Sequence, residues 1–226
     1  MQLNRNDILD GSVEAYLIEA ERQGLATRMP PAERRQSKRK ILDAYPAGED
    51  VWLFGYGSLM WNPCIHFCDR QPALLHGYHR QFCLWTPIGR GSPDCHGLVL
   101  ALAPGGSCRG IAFRIARDLA EQELDVVWDR EMITGAYRPR ITTVATPTGR
   151  QAAITFVVNP AYPNYAGRLS LDAQVAAIAK AEGRLGSCAQ YLFSTVDHLD
   201  ALGITDGPMH DLKRRVQAKW RQRDAT

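Results

Sequence analysis

No run in the sequence approaches the roughly 18 apolar residues that a helix needs to cross a membrane. No continuous apolar segment follows the charges of Met1-Gln2-Leu3-Asn4-Arg5-Asn6-Asp7, so no secretory signal is expected there either. Excess charge is also scarce: 27 Lys and Arg against 24 Asp and Glu leave +3, a balance that argues for no particular partner. The six cysteines, at 64, 68, 83, 95, 108 and 188, keep no regular spacing, and a chain of 226 residues can bury a core without disulfide staples. Reduced thiols in a cytoplasmic protein are the expectation. Repeats and low-complexity tracts are missing as well.

Two further absences concern Val51-Trp52-Leu53-Phe54-Gly55-Tyr56-Gly57-Ser58-Leu59-Met60. No Gly-Lys-Ser/Thr follows, so this is not a phosphate loop, and without a third glycine it is not a dinucleotide fingerprint. What is present is an apolar, aromatic run that reads as a buried strand, entering a Gly-x-Gly-Ser step. The glycines let the backbone turn and put no Cβ in the way of a ligand. Backbone N–H groups freed there can converge on an anion, and the Ser58 hydroxyl can donate or accept. A plain strand-to-loop turn fits the same residues.

Along the chain, Ser12 is the expected cap of a helix over 12–23, with Val13, Tyr16, Leu17 and Ala20 on one face and Gly24 at its end. The basic stretch Arg34-Arg35-Gln36-Ser37-Lys38-Arg39-Lys40 invites a nucleic-acid reading, but no aromatics interleave it. A solvated helical face packing through Ile41, Leu42 and Tyr45 accounts for it better. Residues 46–50 read as a linker, dividing a helical basic extension (1–48) from a main domain (49–226). Strands are expected at 51–56, 74–85, 96–103, 109–116, 137–145 and 151–158, with a hairpin turn at Thr146-Pro147-Thr148-Gly149. A helix capped by Asp118 interrupts them, and helices at 171–182, 188–202 and 209–221 follow an irregular aromatic loop over Asn159–Arg168. The fold class is therefore α+β: a curved antiparallel or mixed sheet, which can close into a small β-barrel, with helices before, within and after it.

Three groupings can carry chemistry. Cys64-Ile65-His66-Phe67-Cys68 offers metal ligands, but a structural zinc site needs about four and no second pair is present; no metal is expected. In Trp128-Asp129-Arg130-Glu131-Met132-Ile133, Glu131 sits among apolar residues that raise a carboxylate's pKa toward the range useful for proton transfer. A surface pair between Glu131 and an arginine is the plain alternative. In Gly77-Tyr78-His79-Arg80-Gln81-Phe82, alternation puts Arg80 on the aromatic face, where it can hold a carboxylate of a ligand or of the protein.

Together, Phe54-Gly55-Tyr56-Gly57-Ser58-Leu59-Met60-Trp61, Gly77-Tyr78-His79-Arg80, Trp128-Asp129-Arg130-Glu131-Met132, Asn159-Pro160-x-x-Pro163-x-Tyr165 and Gln190-Tyr191-Leu192-Phe193 resemble, in order and spacing, the ChaC-type γ-glutamylcyclotransferases, in particular their bacterial branch. The resemblance covers roughly residues 50–215 and leaves 1–45 unexplained. It implies a cyclotransferase barrel and a lyase that cleaves glutathione to 5-oxoproline and cysteinylglycine. It further implies Glu131 as proton acceptor and Tyr56, Gly57, Ser58 and Leu59, with Phe54 and Gly55 ahead of them, as the γ-glutamyl-binding loop. Tyr165 and Arg80 carry over as further substrate contacts. No cofactor, nucleic acid or membrane is implied, and a monomer or weak dimer is expected. The alternatives are a cyclotransferase for other γ-glutamyl amides, or a non-catalytic protein binding through residues 34–40.

Overall fold

The computed structural model describes residues 4–223. Seven α-helices are described: α1 (Arg5–Leu9), α2 (Ser12–Arg22), α3 (Pro31–Ala44), α4 (Ala120–Glu131), α5 (Leu171–Lys180), α6 (Cys188–Ala201) and α7 (Gly207–Arg223). The strands are β1 (Val51–Gly55), β2 (Asp69–Thr86), β3 (Gly97–Ile115), β4 (Tyr137–Thr146), β5 (Gly149–Val158) and a small hairpin, β6 (Glu182–Gly183) with β7 (Gly186–Ser187). The five long strands close a barrel in the order β1-β3-β2-β4-β5, with β1 also pairing parallel to β5 through Trp52↔Ala153 and Leu53↔Ile154. The mixed barrel with surrounding helices is the architecture expected from the sequence.

Every residue of β1 is buried, so it reads as a continuous apolar run without alternation. Each fully buried Leu, Val or Phe there contributes roughly 1.5–3 kcal/mol. β4 and β5 form the anticipated hairpin, registered from Tyr137↔Val158 to Thr146↔Gly149, and Gly149 takes the positive φ of +124°. The separate strands expected at 96–103 and 109–116 are instead one strand, β3. Pro104-Gly105-Gly106-Ser107 looks like a break, yet Gly105 and Gly106 adopt φ of +102° and +69° and let the strand bend while it continues.

The helix caps differ from expectation too. Gly11, in the left-handed region at φ +78°, is the N-cap of α2, and Ser12 is its first helical residue. α4 starts from Leu119 with no side-chain cap, so Asp118 does not serve. α1 went unforeseen. Asn4 and Asp7 cap it reciprocally, each side chain accepting the other's backbone N–H at 3.0 and 2.9 Å.

By compactness the chain falls into two units. One takes in residues up to Arg80 together with Leu102–Asn159; the other takes in Gln81–Ala101 and the chain from Pro160 onward. In the first, α3 departs from the solvated face expected of it: Arg34 and Lys38 are each 6% exposed. Arg34 lies 2.8 Å from Glu14 and 3.7 Å from Asp129, and Lys38 lies 2.6 Å from Asp125. Ile41 and Leu42 are half-buried, and Tyr45 is buried, its hydroxyl donating to the Ala152 carbonyl and accepting from the Trp52 N–H. Cations one helical turn apart share a face, and here that face meets acids of α2 and α4. In the same unit, Trp128 of α4 packs edge-on against Phe156 of β5 with ring centroids 5.1 Å apart.

In the second unit, α5 and α6 start from serine caps: Ser170 accepts from the Ala173 N–H, and Ser187 from the Gln190 N–H. The loop after Asn159 is irregular, as expected, and is stitched to the end of β2 by Trp85 N–H to Asn164 O and Ala166 N–H to Cys83 O, both 2.8 Å. Among the described residues no helix is long and apolar enough to cross a membrane.

Candidate active site

β1 delivers the chain into the glycine turn. Gly110 on β3 lies opposite, where an added Cβ would fall 2.3 Å from the Gly55 carbonyl oxygen and 2.8 Å from the Phe54 ring. A side chain there would push the two strands apart. Gly55 is close-packed in its turn: a Cβ on it would meet Leu59 Cβ at 3.1 Å. After Gly57 the backbone makes a single 3₁₀ turn, Ser58–Met60, closed by Met60 N–H to Gly57 O at 2.9 Å. Leu59 and Met60 point into the core at 4% and 2% exposure, while Ser58 remains half-buried. Phe54 is fully buried. A side chain with no exposed surface offers a ligand no contact, so Phe54 supports the turn from beneath. Tyr56 is also buried, and its carbonyl accepts from Arg80 Nε at 2.5 Å.

Arg80 stands on the inward face that alternation assigns to it, 5% exposed. Backbone carbonyls accept from its guanidinium: Tyr56 O from Nε and Arg109 O from Nη2. It thereby fastens the glycine turn to β3. Tyr165 lies in the other compact unit, where it bridges to Leu84 of β2.

α4 brings the carboxylate. Its buried face, Leu124, Val127 and Trp128, fixes the helix against the barrel, and the last turn ends at Glu131 with Met132 as C-cap. Glu131 is 14% exposed and Arg130 8%. The Arg130 fork spans the site: Nε donates to Glu131 Oε1 at 3.0 Å and Nη2 to Ser58 Oγ at 2.7 Å. Nη1 donates to the Asn62 carbonyl at 2.5 Å and lies 3.5 Å from Cys64 Sγ. The guanidinium thus joins the carboxylate on α4 to the serine of the glycine turn.

Burial holds the Glu131 carboxyl above its ordinary pKa, outweighing the charge and hydrogen bond of Arg130. Its place at the helix C-terminus, where the backbone dipole is negative, works in the same direction. Trp128, Met132 and Ile133, all nearly fully buried, provide the apolar surroundings. Arg130 was not singled out in the sequence. The signal was its place beside Glu131, but consecutive helical residues do not normally face each other. It takes a long arginine at a helix end to reach both a neighbour and another element.

The other candidates are otherwise engaged. His66 gives its backbone N–H and a ring nitrogen to Glu123, at 2.9 and 3.0 Å. His79 Nδ1 meets the Gly105 carbonyl at 3.0 Å. Among the described residues no three His, Cys, Asp or Glu side chains gather as metal ligands would. None of the six cysteines forms a disulfide, and burial pushes the Cys83 and Cys188 thiols up to about 12 and about 11, which keeps them protonated at neutral pH.

A profile of ChaC-like proteins matches residues 51–219, and the chain is 41% identical over 181 residues to the glutathione-specific γ-glutamylcyclotransferase of Escherichia coli K12, across 80% of this chain and 78% of that one. The chain belongs to the ChaC-like family. A Schizosaccharomyces pombe protein, also named a glutathione-specific γ-glutamylcyclotransferase, is 28% identical to this ChaC-like chain over 189 residues, covering 75% of it and 92% of the relative. Among solved structures, a yeast glutathione-specific γ-glutamylcyclotransferase superposes with a TM-score of 0.69 at 20% identity, covering 76% of this chain and 97% of that one. At that identity the match speaks for the fold, and it agrees with the barrel described above.

Proposed function

We propose that this ChaC-like protein is a glutathione-specific γ-glutamylcyclotransferase that releases 5-oxoproline and L-cysteinylglycine. The observation that carries the reading is the join between Ser58 and Glu131 through Arg130, which sets a carboxylate of raised pKa beside the glycine turn. The named relatives, of which the Escherichia coli enzyme is 41% identical, supply the substrate class.

The chemistry needs little else. The α-amino group of a γ-glutamyl unit titrates near about 8 and is mostly protonated at neutral pH. Glu131 takes a proton from it, and the freed nitrogen lone pair attacks the γ-carbonyl carbon of the same molecule. A ring C–N bond forms, the α-nitrogen loses a second proton from the tetrahedral intermediate, and the amide C–N bond to cysteine breaks; the two protons shed by the α-nitrogen end on the cysteinyl amine, which leaves as an ammonium. No electrons are gained or lost and no cofactor is called for. Backbone N–H groups around Gly57–Leu59 and the Ser58 hydroxyl bind the γ-glutamyl unit and the oxyanion that develops. Holding the substrate in a ring-closing conformer contributes several kcal/mol, roughly the scale of oriented intramolecular reactions. Arg80 serves by fixing the turn, and Tyr165 remains a proposed substrate contact. Cysteines without disulfides suit a cytoplasmic setting, and a monomer or weak dimer suffices.

The test is to incubate the purified protein with glutathione and measure both products. Equal yields of 5-oxoproline and cysteinylglycine are expected. Absence of either product overturns the reading, and faster cleavage of other γ-glutamyl amides in competition overturns its specificity for glutathione.

A further inference from the structure

We infer that Arg130 is the positioning residue of this site: it fixes the separation of Glu131 and Ser58 and turns the Ser58 hydroxyl into a donor toward the substrate. The inference rests on the reading of Glu131 as proton acceptor.

A serine hydroxyl has one proton and two lone pairs. Arg130 Nη2 donates to Ser58 Oγ at 2.7 Å, so the hydroxyl accepts there, and its proton is left to donate elsewhere. A cation on the oxygen also polarises the O–H and strengthens what it donates. The acceptors that suit such a donor on a γ-glutamyl substrate are the α-carboxylate and the carbonyl oxygen as it gains charge. Arg130 also leaves Glu131 half used. Its Nε takes Oε1 at 3.0 Å, which leaves Oε2 as the oxygen to accept from the substrate ammonium. The arginine is itself anchored by the Asn62 carbonyl at 2.5 Å, so its fork is held at the far side as well. A guanidinium is planar and rigid, and its width therefore sets the spacing of donor and base.

Arg130 is also the charged group that acts on Glu131 among the described residues. The α3 cation Arg34 is turned to Glu14 and Asp129, and the Cys64 thiol faces Arg130. Removing the arginine's charge therefore leaves burial unopposed, which a purely structural role would not predict.

The experiment uses the full chain with Arg130→Met, Arg130→Lys and Glu131→Gln, reading kcat and KM for glutathione across pH, with thermal melts to normalise for folded protein. In Arg130→Met, kcat is expected to fall about 100-fold, the order seen for misplaced reacting groups, and the acid limb of the profile to move to higher pH. In Arg130→Lys the charge remains but the fork is lost, so kcat falls while the limb stays near its wild-type position. An acid limb that does not move in folded Arg130→Met, or wild-type kcat in either variant, overturns the inference. Should Arg130→Met not fold, Arg130→Lys decides alone by its kcat. If Glu131→Gln keeps its turnover, the underlying reading of Glu131 fails. If it is inactive while Arg130→Met leaves the limb in place, only the role of Arg130 fails.

Discussion

Helix α4 carries two buried glutamates, each beside an arginine, and they are opposite in character. Glu123, in the first turn, has 2% of its side chain exposed; Arg5 approaches it at 2.5 and 2.9 Å, and His66 adds its backbone N–H and a ring nitrogen. Burial pushes the Glu123 carboxyl up, but the hydrogen bonds from Arg5 and His66 and the charge of Arg5 prevail and hold it below its ordinary pKa. Glu131, in the last turn, has one such partner, and burial prevails. The helix dipole adds to the contrast, favouring a negative charge at the start and disfavouring it at the end. Both side chains are buried carboxylates next to a guanidinium. The difference lies in how many donors each one meets. A carboxylate with both oxygens satisfied is a structural tie, and one left half satisfied in an apolar pocket can take a proton.

The sharpest way to break this contrast is to neutralise each acid in turn. Glu131→Gln is expected to lower glutathione turnover at least ~100-fold, the lower range for removing a general base, measured as 5-oxoproline released. The same variant is expected to melt at a higher temperature at neutral pH. A carboxyl whose folded pKa lies above its unfolded value stabilises the fold while protonated and loses that contribution as pH rises from the ordinary glutamate value through the folded one. Above that window the buried charge is a cost, which Gln removes; each kcal/mol recovered raises Tm by about 2–4 °C in a chain of this size. Unchanged Tm and unchanged turnover together would erase the distinction between the two glutamates.

Glu123→Gln should do the reverse. Losing charge-assisted hydrogen bonds to Arg5 and His66 is expected to cost about 1–3 kcal/mol of stability in a denaturant titration, with kcat per folded molecule unchanged. Here the folded pKa is depressed, so the stabilisation is present above the unfolded value and lost as pH falls through the folded one. The gap in stability between wild type and Glu123→Gln should therefore narrow in acid. A smaller effect, about 1 kcal/mol or less, is expected for Lys38→Met, because its Asp125 partner is 55% exposed and water screens the pair. The readout is the denaturation midpoint, and its difference from wild type should shrink further in high salt.

Much of the fold is legible along the chain because it is local. β1 announces itself as an apolar run, and the β4–β5 hairpin by its Pro/Gly turn. α4, α5 and α6 show their buried faces as three- and four-residue spacing. What escapes is whatever depends on partners far away. Arg34 and Lys38 look like solvent-facing charges until α2 and α4 bring Glu14, Asp125 and Asp129 against them. The bend in β3 hides behind Pro104-Gly105-Gly106-Ser107, which reads locally as a turn. At the site, Glu131 could be picked out by its apolar neighbours and Ser58 by its glycines. Their meeting could not be read from spacing, since they stand on different elements and touch only through Arg130. The likeness to ChaC-type proteins implies that the two share one site. It said nothing of the arginine, which is visible only once side chains have positions.

The most direct measurement is a carboxyl-carbon NMR titration that follows Glu131 and Glu123 in one sample, assigned with the two Gln variants. Glu131 is expected to titrate above an ordinary glutamate and Glu123 below one. If Glu131 titrates at or below the ordinary value, it is a saturated ion pair like Glu123 and cannot be the group that takes the substrate's proton.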